Sequence, residues 1–165
     1  MARRAFFSFE YKPDAWRTSQ VRNAGLVEGN VCVSDNAWES ITRGGDAAIQ
    51  RWIDDQLDGK SCAIVLIGST TAGRKWINYE ICKAWNDRKG VLGVYIHNLL
   101  DALRRPSVKG SNPFEGITFG EPKSRLSTVV KAYDPPYAIG TDVYAHIKAN
   151  LANWVEEAVS IRERI

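Results

Sequence analysis

Short apolar runs alternate along this chain with longer segments in which apolar residues recur at helical spacing. Five runs lack the polar alternation of a half-exposed strand, and they therefore predict strands that are buried on both faces. These runs are residues 5–9, 30–34, 62–67, 91–97 and 128–133. Between them, apolar positions three and four residues apart predict amphipathic helices, most clearly at residues 46–58, 77–85 and 142–158. This order of elements is typical of an α/β protein.

The alternation predicts a single domain over residues 1–165. Buried parallel strands joined by right-handed crossovers form a three-layer, doubly wound sheet of the flavodoxin-like class. With the first strand in a central position, the five strands take the order 2-1-3-4-5, and the ligand crevice lies beside strands 1 and 3. We therefore expect the loop at residues 9–11, Ser69 and Glu80 to surround one opening.

Glu80 lies at the edge of the apolar arc of the helix that follows the third strand, and Trp76 precedes it by one turn on the same flank. In one interpretation Glu80 forms an ion pair with Lys83 or Arg74 on a solvated face. In the other it faces a ligand, beside an aromatic surface that can stack on a flat cation. The helix begins at the carboxyl end of a central strand, which favours the ligand-facing interpretation.

Composition and charge exclude several classes of function. Apolar residues make up 44% of the chain and charged residues 25%, as in ordinary globular proteins. The net charge of +3 is small and scattered, so a nucleic-acid partner is not expected. The apolar stretch after the basic residues 1–4 is too short for a signal peptide or a membrane span, so we expect a cytoplasmic protein without a membrane partner.

The cysteines and histidines do not suggest a metal site. Cys32, Cys62 and Cys82 all lie in apolar contexts, and we expect them to be small buried side chains in a reducing cytosol. His97 and His146 have no neighbouring cysteine or histidine at a ligand spacing, so we expect no metal. Residues 68–73 resemble a phosphate-binding loop, but the lysine and hydroxyl that such a loop requires are displaced or missing.

Three further features have two interpretations each. Asp35 follows the second strand, where it either binds a ribose hydroxyl or makes an Asx-turn. The helix predicted at residues 14–24 is polar enough to be either a solvated face or the wall of a site. Residues 98–124 read as a long loop, within which residues 109–114 form either a lid over the site or a surface excursion.

Several segments together resemble a TIR domain and, more closely, the TIR-like family of Thoeris antiphage defence. These are residues 6–9, 16–17, 20–23, 64–69, 74–76, 79–80, 95–97 and 109–114, which include Phe9, Ser69, Trp76, Glu80, His97 and Asn112. The resemblance extends over nearly the whole chain. The combination is specific, although each segment alone is not.

The resemblance implies an enzyme that cleaves NAD, with NAD as substrate and no separate cofactor. Active members of the family convert NAD into a cyclic ADP-ribose isomer, a messenger sensed by a separate effector that then depletes NAD. Glu80 matches the catalytic glutamate, and the implied substrate contacts are Phe9, Tyr11, Ser69, Trp76, His97 and Asn112. Asp35 is a further candidate from its position at the end of the second strand. Catalysis by TIR domains often requires assembly, so the resemblance is also compatible with a homo-oligomer.

Glu10 departs from the family pattern, because many TIR domains carry a basic residue at this position. Its negative charge conflicts with the usual contacts to the pyrophosphate, and Arg17, Arg74 or Lys109 would have to replace them. Two rival functions remain open. One is a non-catalytic protein-interaction module, and the other is a sensor that binds a nucleotide without cleaving it.

Overall fold

The computed structural model describes residues 3–25, 27–29 and 35–165, with the backbone alone at residues 35 and 36. Its strands are β1 (Ala5–Ser8), β2 (Cys62–Ile67), β3 (Gly90–Tyr95), β4 (Thr118–Phe119), β5 (Ser124–Arg125) and β6 (Ala132–Tyr133). Four of them form a parallel sheet in the order β1-β2-β3-β6, while β4 and β5 pair as an antiparallel hairpin. The predicted α/β class with a parallel central sheet is confirmed.

Helices cover both faces of the sheet. They are α1 (Tyr11–Asn23), α2 (Asp35–Arg43), α3 (Asp46–Leu57), α4 (Lys75–Asn86) and α5 (Gly140–Arg164). Successive strand residues contribute to opposite cores: Phe6 packs with the apolar faces of α3 and α4, and Phe7 packs with those of α1 and α5. Every residue of β1, β2 and β3 is buried, as expected for strands that are covered on both sides.

The strand order agrees with the prediction as far as the structure describes it. The first, third, fourth and fifth predicted strands lie side by side in the expected sequence. The second predicted strand, residues 30–34, lies outside the described residues. Just before it, Glu28 forms a parallel bridge with Arg4 and accepts a hydrogen bond from the backbone of Ala5 at 2.8 Å.

Two predicted helix starts are wrong. The first helix begins at Tyr11, so Asp14 is buried inside its first turn and does not cap it. Pro13 is compatible with this start, because the first turn of a helix does not use that backbone N–H. The sequence favours Thr70 or Thr71 as the cap of the helix after β2, but that helix begins only at Lys75. The Thr71 hydroxyl instead accepts a hydrogen bond from the Gly68 N–H at 2.8 Å.

Other boundaries differ in length. Residues 36–45, predicted as a loop with a short helical piece, belong mostly to the nine-residue helix α2, which begins at Asp35 and ends at Arg43. The fifth strand is shorter than predicted, with a 3-10 turn at Leu126–Thr128 and strand geometry only at Ala132–Tyr133. The prediction that all cysteines are buried is wrong for Cys82, which is exposed, whereas Cys62 is buried and Cys32 lies outside the described residues.

The long segment of residues 98–124 is an integral part of the domain. It contains a 3-10 turn at Pro113–Gly116 and the β4–β5 hairpin, and the Phe114 ring is fully buried in the core. Gly110 packs so tightly on the end of β2 that an added Cβ would lie 2.2 Å from the Gly68 carbonyl oxygen. This close packing holds residues 109–114 against the sheet.

The polar helix α1 is explained in part by its contacts with that segment. The Arg17 guanidinium, 4% exposed, donates to the backbone carbonyls of Leu99 at 2.7 Å and Arg105 at 2.8 Å. Gln20 donates to the Leu100 carbonyl at 2.7 Å. These side chains satisfy loop carbonyls that would otherwise be left without partners.

Helix α5 lies directly against the sheet at Gly90. A Cβ added at Gly90 would lie 2.7 Å from the backbone nitrogen of Val159, so this position accommodates only glycine without displacing the helix. Among the residues described, none of the helices combines the length and apolarity that a membrane span requires.

Candidate active site

A cavity of about 700 Å³ lies beside β1, between α1 on one side and α3 and α4 on the other. Its volume is in the range of small-molecule sites. Many of its lining side chains are aromatic or charged: Phe6, Phe7, Phe9, Glu10, Tyr11, Lys12, Arg22, Trp38, Trp52, Arg74, Lys75, Trp76 and Glu80. The structure thus brings together Glu80, Phe9, Tyr11 and Trp76, four of the residues singled out from the sequence.

Glu80 is buried at the wall of this cavity, with 7% of the residue exposed. The hydroxyl of Ser8, the last residue of β1, donates a hydrogen bond to its carboxylate. Burial raises the pKa of Glu80 to about 8, although the hydrogen bond from Ser8 acts in the opposite direction. Burial therefore favours the protonated form of this carboxyl group, and a cation placed beside it would favour the ionised form.

A continuous series of aromatic rings extends from the end of β1 to α3. Phe9 stacks on Tyr11 with ring centroids 6.0 Å apart, and Tyr11 stacks on Trp38 at 6.2 Å. Trp38 in turn meets the edge of Trp52 at 5.5 Å. All four rings line the cavity, so they offer a broad flat surface for planar ligand groups.

Sequence analysis did not identify Trp38, Trp52 or Ser8 as site residues. The apolar spacing of the helix at residues 46–58 predicts a core position for Trp52, and Trp38 lies within residues 36–45, where a loop is predicted. The only available signal was the excess of tryptophan, six residues in this chain, of which one was assigned to the site.

Basic side chains surround the cavity mouth. Lys12, Arg22, Arg74 and Lys75 all line it. The carboxylate of Glu10, which departs from the family pattern, pairs with Arg74 at 2.9 Å and accepts a hydrogen bond from Thr70. Arg74 therefore offsets the negative charge of Glu10, and Lys75 pairs with Asp46 at 2.5 Å. The four basic side chains still outnumber the two acidic ones that line the cavity, which favours an anion at the mouth.

The other predicted site residues lie elsewhere. Ser69 is exposed, and His97 is buried at the carboxyl end of β3, with its ring 6.1 Å from that of Tyr95 and its pKa lowered by burial. Neither lines the cavity, and neither do residues 109–114. The side chain of Asp35 lies outside the described residues. Three basic residues are candidates to bind the pyrophosphate in place of the basic residue that Glu10 replaces. Of these, Arg17 donates to loop carbonyls and Lys109 pairs with Asp134 at 2.8 Å.

Asn112 has a local structural contact: its side chain accepts a hydrogen bond from the Phe114 N–H at 2.9 Å and so caps the 3-10 turn. We expect Asn112→Ala to lower the free energy of unfolding by about 1 kcal/mol, as for other lost caps, without changing turnover of the substrate. Urea unfolding and an activity assay on the same preparation check this. Loss of activity at unchanged stability would instead support the substrate contact predicted from the sequence.

In the part of the chain that the structure describes, no group of three or more histidine, cysteine or acidic side chains is arranged to hold a metal ion. The cavity itself offers the carboxyl group of Glu80, the aromatic rings and the basic rim. This set suits recognition of a planar, partly cationic molecule that also carries negative groups.

Comparison with known proteins identifies the family. The family model for the Thoeris protein ThsB, TIR-like domain, matches residues 6–101, more than half of the chain. A relative from Bacillus cereus (strain MSX-D12), provisionally named cyclic ADP-D-ribose synthase ThsB1, is 34% identical over 124 residues. The match covers 72% of this chain and 65% of the relative, so the chain spans just under two thirds of that protein's length. The chain therefore belongs to the TIR-like domain family of the Thoeris protein ThsB, which confirms the resemblance seen in its sequence.

Proposed function

We propose that this protein is a TIR-type NAD-processing enzyme. It cleaves the bond between nicotinamide and ribose and closes the remainder into a cyclic ADP-ribose-type messenger in antiphage defence. The observation that carries this proposal is the buried carboxyl group of Glu80 in a cavity lined by aromatic rings. The name of the Bacillus cereus relative, a cyclic ADP-D-ribose synthase, supports the same reaction.

The reaction requires little from the protein beyond one carboxylate. Nicotinamide leaves NAD as a neutral molecule from a positively charged pyridinium, so no acid is needed to protonate it, in contrast to ordinary glycoside hydrolysis. Glu80, in its ionised form, stabilises the positive charge that develops on the ribose. The pyridinium cation itself lowers the pKa of Glu80, so substrate binding generates the active carboxylate. Ser8 holds this carboxylate in place through its hydrogen bond.

The rest of the cavity binds and folds the substrate. The rings of Tyr11, Trp38 and Trp52 offer stacking surfaces for nicotinamide or adenine, and the basic rim attracts the pyrophosphate. A substrate folded in this way brings its adenine base or a ribose hydroxyl near the reacting carbon. Capture by one of these groups gives a cyclic product, whereas capture by water gives linear ADP-ribose.

The product then acts at a distance. We propose that it diffuses to a separate effector, which binds it and depletes cellular NAD.

Incubation with NAD tests the proposal. The purified protein, and extracts of phage-challenged cells that express it, are supplied with NAD, and nicotinamide release is followed by chromatography. We expect nicotinamide together with a product of the mass of NAD minus nicotinamide. A product one water heavier would indicate hydrolysis instead of cyclisation. No release above buffer in either setting would contradict the enzymatic proposal and favour the interaction or sensor function.

Removal of a stacking ring is expected to weaken substrate binding. Trp38→Ala should raise the KM for NAD by about tenfold, since stacking of a base on an aromatic side chain contributes about 1–3 kcal/mol. Steady-state kinetics of nicotinamide release measure this, with Trp16→Ala as the matched control because Trp16 is exposed and does not line the cavity. Equal KM values for the two variants would exclude Trp38 from the binding surface.

A further inference from the structure

A second cavity, of about 420 Å³, lies at the carboxyl-terminal ends of α4 and α5, against the β4–β5 hairpin. Its apolar wall includes Trp85, Ile117, Phe119 and Leu126, and Arg162 of α5 also lines it. None of its lining residues lines the first cavity. The two cavities are therefore separate, although α4 contributes to both.

Arg162 is a buried cation without a counterion. Only 8% of the residue is exposed, and its guanidinium lies over the Trp85 ring, 4.3 Å from the centroid. In the described part of the chain no carboxylate forms an ion pair with it. Burial, and secondarily the positive charge of Arg88, lower the pKa of Arg162. Buried charges are normally paired, so an unpaired guanidinium at a cavity wall requires an explanation.

A structural role accounts for one part of this side chain. The Nε atom donates to the Trp85 carbonyl at 3.0 Å, which satisfies a carbonyl in the last turn of α4. The two Nη atoms make no hydrogen bond with any described residue. They are the part of the guanidinium that binds carboxylates in a bidentate manner, and a structural role at the helix end does not use them.

We propose that this second cavity binds a small apolar molecule that carries a single carboxylate. One guanidinium balances one carboxylate, whereas a doubly charged phosphate would keep one charge uncompensated in the buried site. The rings of Trp85 and Phe119, which meet edge to face at 5.3 Å, and the side chain of Ile117 contact the apolar body. The proposal does not depend on NAD cleavage, because no residue of the first cavity takes part.

Titration of the full chain with three matched probes tests the proposal. Phenylacetate, phenylacetamide and phenyl phosphate share a ring but differ in charge, and binding is followed by ¹H–¹⁵N spectra at the Trp85 indole and the Phe119 amide. We expect saturable shifts with phenylacetate and at least tenfold weaker binding of phenylacetamide, because a hydrogen bond to a charged group contributes about 1.5–3 kcal/mol. Phenyl phosphate should also bind more weakly than phenylacetate.

Two arginine variants separate binding from folding. Arg162→Gln should weaken phenylacetate binding at least tenfold, while Arg164→Gln, a change on the exposed side of the same helix end, should leave it unchanged. The same spectra report whether each variant is folded. If Arg162→Gln does not fold, Arg162→Lys, which keeps the charge but loses the bidentate fork, must show the weakening.

Four results would overturn the proposal. They are the absence of saturable shifts with phenylacetate, equal affinity for phenylacetamide, tighter binding of phenyl phosphate, and unchanged affinity in a folded Arg162 variant. Phe119→Ala provides a second check on the apolar wall. Phe119 belongs to the short hairpin, and its ring packs on that of Trp85 in α4. Loss of the Phe119 ring should therefore weaken phenylacetate binding, and unchanged affinity would show that phenylacetate binds elsewhere.

Discussion

Glu80→Gln is expected to lower the rate of nicotinamide release by about a hundredfold to a thousandfold, the usual loss when a group that stabilises developing charge is removed. Glutamine keeps the size of the side chain and accepts the hydrogen bond from Ser8, but it cannot carry the negative charge that the ribose cation requires. Chromatographic measurement of nicotinamide under the conditions that activate the wild-type protein gives the two rates.

Asp87→Asn is the matched control for this change. Asp87 follows the last residue of the same helix, is exposed, and pairs with Lys83 at 3.0 Å, so its loss should leave the rate unchanged. Equal release by the wild-type protein and Glu80→Gln would remove the basis of the enzymatic proposal. A similar loss in both variants would indicate an effect on helix α4 instead of on the chemistry.

The same substitution is expected to change how stability depends on pH. The pKa of Glu80 is about 8 in the folded protein, compared with 4.5 for an unperturbed glutamate. Between these values the folded state keeps a proton that the unfolded state has lost, so the free energy of unfolding of the wild-type protein falls as pH rises from about 4.5 to about 8. The glutamine side chain in Glu80→Gln does not titrate, so the free energy of unfolding of this variant should lack this decrease with pH.

Urea unfolding at pH 5 and pH 8 measures the effect. We expect Glu80→Gln to gain stability relative to the wild-type protein by a few kcal/mol between the two conditions, since each unit of pKa shift corresponds to about 1.4 kcal/mol. The comparison is made without NAD, because a cationic substrate would lower the pKa. If the difference in the free energy of unfolding between the wild-type protein and Glu80→Gln were the same at pH 5 and pH 8, the carboxyl group of Glu80 would be ionised at both pH values.

The features that sequence analysis predicted well depend on local patterns. Unbroken apolar runs such as residues 62–67 indicated strands that are covered on both faces, and these strands are fully buried. Glu80 and Trp76 were linked because residues four apart lie on the same side of a helix. The sequence also favours glycine as the end of two helices, at Gly25 and Gly59, and both residues have positive φ.

The features that were missed depend on contacts between distant parts of the chain. Trp52 has the helical spacing of a core residue, and only the position of α3 relative to β1 turns it toward the cavity. Arg17 looked like a surface residue or a substrate contact, and two of its carbonyl partners, those of Leu99 and Arg105, are more than 80 residues away in the chain. Asn112 matched a family segment, but the pattern did not indicate that its side chain caps a turn.

The tight contact between Gly90 and α5 has a consequence for the second cavity. Arg162 lies one helical turn beyond the point where the Val159 backbone rests against Gly90. A single hydrogen atom in place of a side chain at residue 90 therefore determines how deeply the guanidinium sits beside Trp85. A larger residue at this strand position is expected to displace the end of α5 and, with it, the arginine wall of the second cavity.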